Sequence, residues 1–301
     1  MKNRTKIIGL SIIGIGIILS FYAGPKIYRK YKAYRVNQES QINFPQTKNY
    51  VDKLPNPDSL YVFIMAGQSN MAGRGFVEPQ DTLSNKRILT IDKSMKWIYA
   101  KEPLHFYEPS LTGLDCGMSF AKKLLDSIPE GVSIAIIPCA VGGSSIEQWI
   151  NNETYREVTL LDNFKEKVDF AKDYGKIKGI IWHQGESNAK SELIPKYSQR
   201  LDSLFNSFRI FVENDTLPII IGELGSYTEP IEKQMKWNSI NTIIHNIALT
   251  DKNLSIVETG DLNHKGDKVH FDSESQRILG ERFAIKYIEL TMPAHNNVYK
   301  K

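Results

Sequence analysis

A chain of 301 residues, 41% hydrophobic and 10% aromatic, is large enough for one sizeable domain and excludes a disordered or fibrous protein. Its formal charge of +4 is local: residues 1–36 hold eight basic residues and no acid, so the remainder carries 30 basic against 34 acidic residues, a net of −4, with no global attraction for nucleic acid. The two cysteines, Cys116 and Cys139, make neither a disulfide framework nor a zinc site; two buried thiols or a single bridge both remain open.

Residues 7–24 form an uncharged apolar run, at the lower limit of the roughly 18–20 residues that cross a bilayer. Phe21 and Tyr22 occupy places where a signal peptidase needs small residues, which favours an uncleaved membrane anchor over a cleaved signal or a core helix. Basic residues flank both ends and are more numerous after the run, an arrangement that by the positive-inside rule would leave the rest of the chain in the cytoplasm. The substrate argued below places it instead in the periplasm or otherwise outside the cytoplasm. Residues 25–58 read as a basic, then polar, connector containing Pro45, Pro55 and Pro57, and 59–301 as one domain.

From Ser59 onward, short apolar runs alternate with helical stretches. The runs are 60–66, 133–138, 177–183, 218–222 and 254–257; they are continuous in Ile and Val rather than alternating, as strands covered on both faces are. Helices are expected over 117–127, 159–174, 191–212 and 229–249. A last one opens at Ser273, with Gln276 at capping-box spacing. This order predicts an α/β protein with a mostly parallel five-stranded sheet between two helical layers.

Ligands in such sheets bind beyond the carboxyl ends of the strands, where this sequence collects glycine and polar residues. Ser69 follows the first strand. It is either an ordinary helix cap or, at a helix N-terminus and beside a base, a nucleophile. Asp267 and His270 stand three apart before the last helix, where a tight turn could bring the carboxylate onto the imidazole; by itself that pair is also what a polar loop contains. Gly143, in the glycine loop after the second strand, and the Gln184 amide, after the third, are candidate oxyanion donors, with a tight turn and a loop hydrogen bond as the ordinary alternatives. Glu186 could replace Asp267 behind His270 or bind sugar hydroxyls. His183, Glu186 and His264 match no familiar metal-ligand spacing, so no metal and no cofactor are expected.

Four ordered stretches carry a family resemblance: Met65-Ala66-Gly67-Gln68-Ser69-Asn70-Met71, Val141-Gly142-Gly143-Ser144-Ser145-Ile146, Trp182-His183-Gln184-Gly185-Glu186-Ser187 and Asp267-Lys268-Val269-His270-Phe271. Together they resemble the SGNH hydrolases, and within these the sialate O-acetylesterase and acetylxylan esterase branch, carbohydrate esterase family six. The resemblance covers about 59–290. It implies a flavodoxin-like three-layer α/β/α sandwich and cofactor-free hydrolysis. It also implies that Ser69 is the nucleophile, His270 the base and Asp267 its orienting acid, with the Ser69 N–H, Gly143 and Gln184 as oxyanion donors. Gln68, Asn70 and Glu186 are expected to contact substrate. The third stretch of the family often ends in Asp, where this chain has Asn188.

The expected function is therefore removal of O-acetyl groups from a carbohydrate, xylan-like or sialic-acid-like, through an acetyl-enzyme. A non-catalytic carbohydrate-binding protein on the same fold and a metal-dependent hydrolase are the rival readings. The expected partners are the acetylated carbohydrate and, through 7–24, a membrane.

Overall fold

The computed structural model describes residues 24–28, 31, 35 and 38–292. The proposed anchor therefore lies outside the described residues apart from Gly24. Among the described residues no helix is long and apolar enough to cross a membrane. The chain divides into two compact units, Met1–Ile42 and Asn43–Lys301. The second begins well inside the stretch read as connector. Its leading residues are tied to a sheet edge, with the Val51 N–H on Trp97 O at 3.1 Å and the Tyr99 N–H on Asn49 O at 2.9 Å.

The strands of this unit are β1 (Leu60–Gly67), β2 (Ile88–Ile91), β3 (Trp97–Tyr99), β4 (Ser133–Pro138), β5 (Thr154–Tyr155), β6 (Val158–Thr159), β7 (Lys176–His183), β8 (Ile219–Gly222) and β9 (Leu254–Val257). The helices are α1 (Gly117–Leu125), α2 (Ile146–Ile150), α3 (Leu160–Lys172), α4 (Tyr197–Val212), α5 (Ile231–Thr250) and α6 (Ser273–Thr291). The main sheet has seven strands in the order β3-β2-β4-β1-β7-β8-β9, all parallel except β3, which runs antiparallel to β2. All five expected strands are present, and in their own numbering they lie 2-1-3-4-5, the flavodoxin-like order. The short β2 and β3 extend one edge and were not foreseen.

The period-2 geometry of a strand explains why the apolar runs are continuous. In β1, Leu60, Val62, Ile64 and Ala66 enter the core beneath α2–α5, whereas Phe63 and Met65 enter the core beneath α1 and α6. Every position but the half-buried Tyr61 is thus buried, and alternation has no solvent face to report. Cys116 and Cys139 lie buried and unbridged in these two cores.

The last helix starts differently from the expectation. Asp272 caps α6, its Oδ1 accepting the Ser275 N–H at 2.8 Å. Ser273 instead donates to Phe76 O at 2.8 Å, and Gln276 to Asn70 O at 2.9 Å. Ser273 is therefore the first residue inside the helix rather than its cap, and the expected capping box does not form.

Candidate active site

The strand order reverses at β1, which has β4 on one side and β7 on the other, and the loops leaving these strands meet at one sheet edge. β1 ends at Gly67, whose φ of +135° suits only glycine. A Cβ there would fall 2.1 Å from His183 O. The chain then closes a single turn, with the Met71 and Ala72 N–H groups on Gln68 O at 3.0 and 2.9 Å. Ser69 sits on this turn, 6% exposed. No helix starts beyond it, so the expected helix N-terminus is replaced by one isolated turn.

The loop after β9 brings in the base. Asp267 Oδ1 accepts the backbone N–H groups of Val269 and His270 at 3.0 and 2.8 Å, a three-residue turn that aims Oδ2 at His270 Nδ1, 2.7 Å away. A carboxylate at Nδ1 selects the tautomer with the proton there. Nε2 then carries the lone pair, and it lies 3.0 Å from Ser69 Oγ. Burial alone would raise the Asp267 carboxyl, but the His270 side chain and the two backbone donors hold it far below the usual carboxylate range.

Asn70 and Glu186 are turned inward and bonded to each other. Asn70 is fully buried. Its Nδ2 donates to Glu186 Oε1 at 2.7 Å and to Val269 O at 3.2 Å, and its Oδ1 accepts the Phe271 N–H at 3.1 Å. It therefore grips the chain on both sides of His270. The Glu186 side chain is 6% exposed and spends its Oε1 on Asn70, with His183 Nδ1 at 3.9 Å. Its Oε2 is buried without a hydrogen-bond partner among the described residues. Gln68, 3% exposed, accepts the Ser187 N–H at 3.3 Å and the Gly185 N–H at 3.5 Å on its Oε1, which ties the nucleophile turn to the loop after β7.

The glycine loop after β4 is braced from below. Trp149 Nε1 donates to Ser144 Oγ at 2.9 Å, and Ser187 Oγ to Gly143 O at 2.9 Å. Gly143 has φ +81°. The backbone N–H groups of Ser69 and Gly143 donate to no other described residue and are available to a developing oxyanion.

Gln184 is not available in that way. It is fully buried, its Nε2 donates to Ser144 O at 3.2 Å and Asn188 Oδ1 at 2.7 Å, and the Tyr197 hydroxyl lies 3.1 Å from its Oε1. Both amide hydrogens are engaged, which corrects the expectation of a third oxyanion donor. Asn188 is likewise buried, its Nδ2 on both Glu147 oxygens at 2.9 and 2.7 Å and its Oδ1 on the Ile146 N–H at 2.9 Å.

Three ionic residues at this edge were not singled out in the sequence. Glu108 Oε2 accepts Arg74 Nη2 and the Gly142 N–H, both at 2.7 Å, and its Oε1 accepts Arg156 Nη1. Burial would raise the Glu108 carboxyl, yet Arg74, the Gly142 N–H and Arg156 keep it below its ordinary range. Arg74 had a readable signal, a charged residue between Gly73 and Gly75 just after the first motif. Glu108 and Arg156 had none, since they meet only through the fold.

Among the described residues no three His, Cys, Asp or Glu side chains gather to hold a metal ion. His183 Nε2 is spent on Glu223 O at 2.8 Å, and His264 Nδ1 on the Gly266 N–H at 2.9 Å and the Lys268 N–H at 3.2 Å.

Comparison with known proteins adds an independent line. A model of the carbohydrate esterase, sialic acid-specific acetylesterase family matches residues 59–289. A probable carbohydrate esterase of Arabidopsis thaliana is 28% identical over 248 residues, covering 75% of this chain and 90% of the plant protein. A crystal structure of an Arabidopsis thaliana protein superposes with a TM-score of 0.68 at 26% identity, covering 77% of this chain and 99% of that one. The fold is also that of NanS, with a TM-score of 0.63 at 18% identity over 78% of this chain and 98% of NanS.

Proposed function

The chain belongs to the carbohydrate esterase family of sialic acid-specific acetylesterases, and on that premise we propose that it removes O-acetyl groups from a sugar through an acetyl-enzyme on Ser69. The observation that carries this reading is the continuous line from Asp267 Oδ2 to His270 Nδ1 at 2.7 Å and from His270 Nε2 to Ser69 Oγ at 3.0 Å. Ser69 Oγ attacks the acetyl carbonyl as Nε2 takes its proton. The Ser69 and Gly143 N–H groups hold the oxyanion. Collapse breaks the bond to the sugar oxygen, which leaves with the proton from His270. Water then repeats the sequence on the acetyl-serine, releasing acetate and restoring the serine.

A fluorophosphonate should label Ser69 in the full chain and abolish turnover of 4-nitrophenyl acetate, while exhaustive dialysis against EDTA leaves turnover unchanged. Absence of labelling, together with EDTA-sensitive activity that zinc restores, would overturn the serine mechanism.

We further place this domain outside the cytoplasm, tethered through 7–24, because polymeric glycans are met there. Protease added to spheroplasts of cells expressing the full chain should degrade the esterase domain. Protection until lysis would assign it to the cytoplasm, as the flanking charges suggest.

A further inference from the structure

The β5–β6 hairpin leans over the glycine loop. Its two turn residues, Arg156 (φ 49°) and Glu157 (φ 65°), both lie in the left-handed region, and Asn152 (φ 52°) does so just before. Two-residue hairpin turns of this kind favour Asn and Gly, and long side chains adopt the conformation at a cost. Such strain persists where the surroundings hold it, and it clusters at sites of recognition. Here it aims Arg156. The guanidinium meets Glu108 Oε1 and lies 5.6 Å from the centre of the Tyr155 ring. A Cβ built on Gly143 would sit 3.1 Å from the Tyr155 hydroxyl and 3.8 Å from Arg156 Nη2. A cationic nitrogen thus stands beside a proposed oxyanion donor.

The charges here do not balance. Arg74 and Glu108 are both 6% exposed and neutralise each other as a buried pair. Arg156, 39% exposed, is a second cation on the same single carboxylate. Lys265, which donates to Arg74 O at 2.9 Å, lies 4.0 Å from Asp267 and so adds no negative partner for Arg156. A guanidinium has five N–H donors, and its planar fork matches a carboxylate. Among the described residues the only ion pair of Arg156 is the one with Glu108.

Resting on the serine esterase reading, we propose that Arg156 is the specificity residue of this enzyme and binds the carboxylate of an acetylated sugar acid. Neutral acetylated sugars such as xylan are then the poorer substrates. Glu108 fixes the guanidinium from below, the hairpin fixes it from behind, and the incoming carboxylate completes the charge balance. Because the contact exists in both the Michaelis complex and the transition state, its loss appears chiefly in KM.

The test uses the full chain and matched substrates: O-acetylated N-acetylneuraminic acid and O-acetylated glucuronic acid, each against its own methyl ester at the carboxyl, with an acetylated xylo-oligosaccharide alongside. Wild type should favour at least one free acid over its methyl ester by roughly tenfold to hundredfold in kcat/KM, the range of a charge-assisted contact. In Arg156→Ala that ratio should fall towards one, mainly through KM, and Arg156→Lys should retain part of it. Circular dichroism and Tm of both variants check that the fold survives, and Arg156→Gln serves if the alanine variant unfolds. Equal wild-type rates on acid and methyl ester, preference for the xylo-oligosaccharide, or a ratio untouched by the substitutions would overturn the assignment. Those outcomes leave the esterase reading standing, since that reading falls only if Ser69 is dispensable.

Discussion

Ser69→Ala should lower turnover of 4-nitrophenyl acetate by roughly 10³-fold or more. In the proposed mechanism the hydroxyl, 3.0 Å from His270 Nε2, is the group that carries the acetyl intermediate. Nucleophile and base act as one unit, so removing either forfeits most of what the set achieves. The fold should be indifferent. Ser69 Oγ has one polar partner, His270 Nε2, and the turn that carries it is closed by backbone bonds from Met71 and Ala72 to Gln68 O. Turnover is checked on the full chain, with Tm as the control. Activity near wild type would remove Ser69 from the mechanism and the acetyl-enzyme with it.

Asp267→Asn should cost about 10⁴-fold in turnover with little change in KM, the magnitude known for the equivalent change in a serine protease. An asparagine can still accept the Val269 and His270 N–H groups through its Oδ1, so the turn survives. Its Nδ2 would then face His270 Nδ1 as a donor, which forces the ring proton onto Nε2, the atom that must receive the proton of Ser69. Glu186→Gln is the matched control. Its Oε1 can go on accepting from Asn70, its side chain is 6% exposed, and its loss should stay within about tenfold and be equal on 4-nitrophenyl acetate and on an acetylated sugar. If Glu186→Gln proves the more damaging change, the orienting carboxylate has been misassigned. The Asp267 change should also be visible in acid. Because the folded Asp267 carboxyl lies far below its unfolded range, its contribution to stability is complete above an unfolded pKa of about 3.9 and is lost as pH falls towards the folded value. The Asn variant should lack that part of the acid slope.

The five expected strands were legible because each reads as a short continuous apolar run, as in Leu60–Gly67, where every residue but Tyr61 is buried. β2 and β3 were not: β8 and β9 are as short but stand between helices, whereas β2 and β3 form a hairpin in the stretch from β1 to α1, which holds no α-helix, so no strand–helix alternation marks them. The site was legible where chemistry is local. Asp267 and His270 share one turn, and Ser69 follows a strand directly. It was illegible where a side chain's commitments are made across the fold. Nothing near Gln184 in sequence says that Ser144 O and Asn188 Oδ1 take both its amide hydrogens, and nothing near Asn70 says that it holds the residues flanking His270. Arg156 finds Glu108 48 positions away.

The contact between Asn188 and Glu147 makes the two positions a single unit of sequence drift. Restoring the Asp often found at the end of the third motif would turn a donor into an anion and set it against the Glu147 carboxylate, which sits under both Asn188 hydrogens and is also paired with Arg200. The buried Oδ1 acceptor of the Ile146 N–H would survive the exchange; the charge balance would not. A graft that brings Asn188→Asp into this chain should therefore be tolerated better when Glu147 is replaced by a neutral residue at the same time.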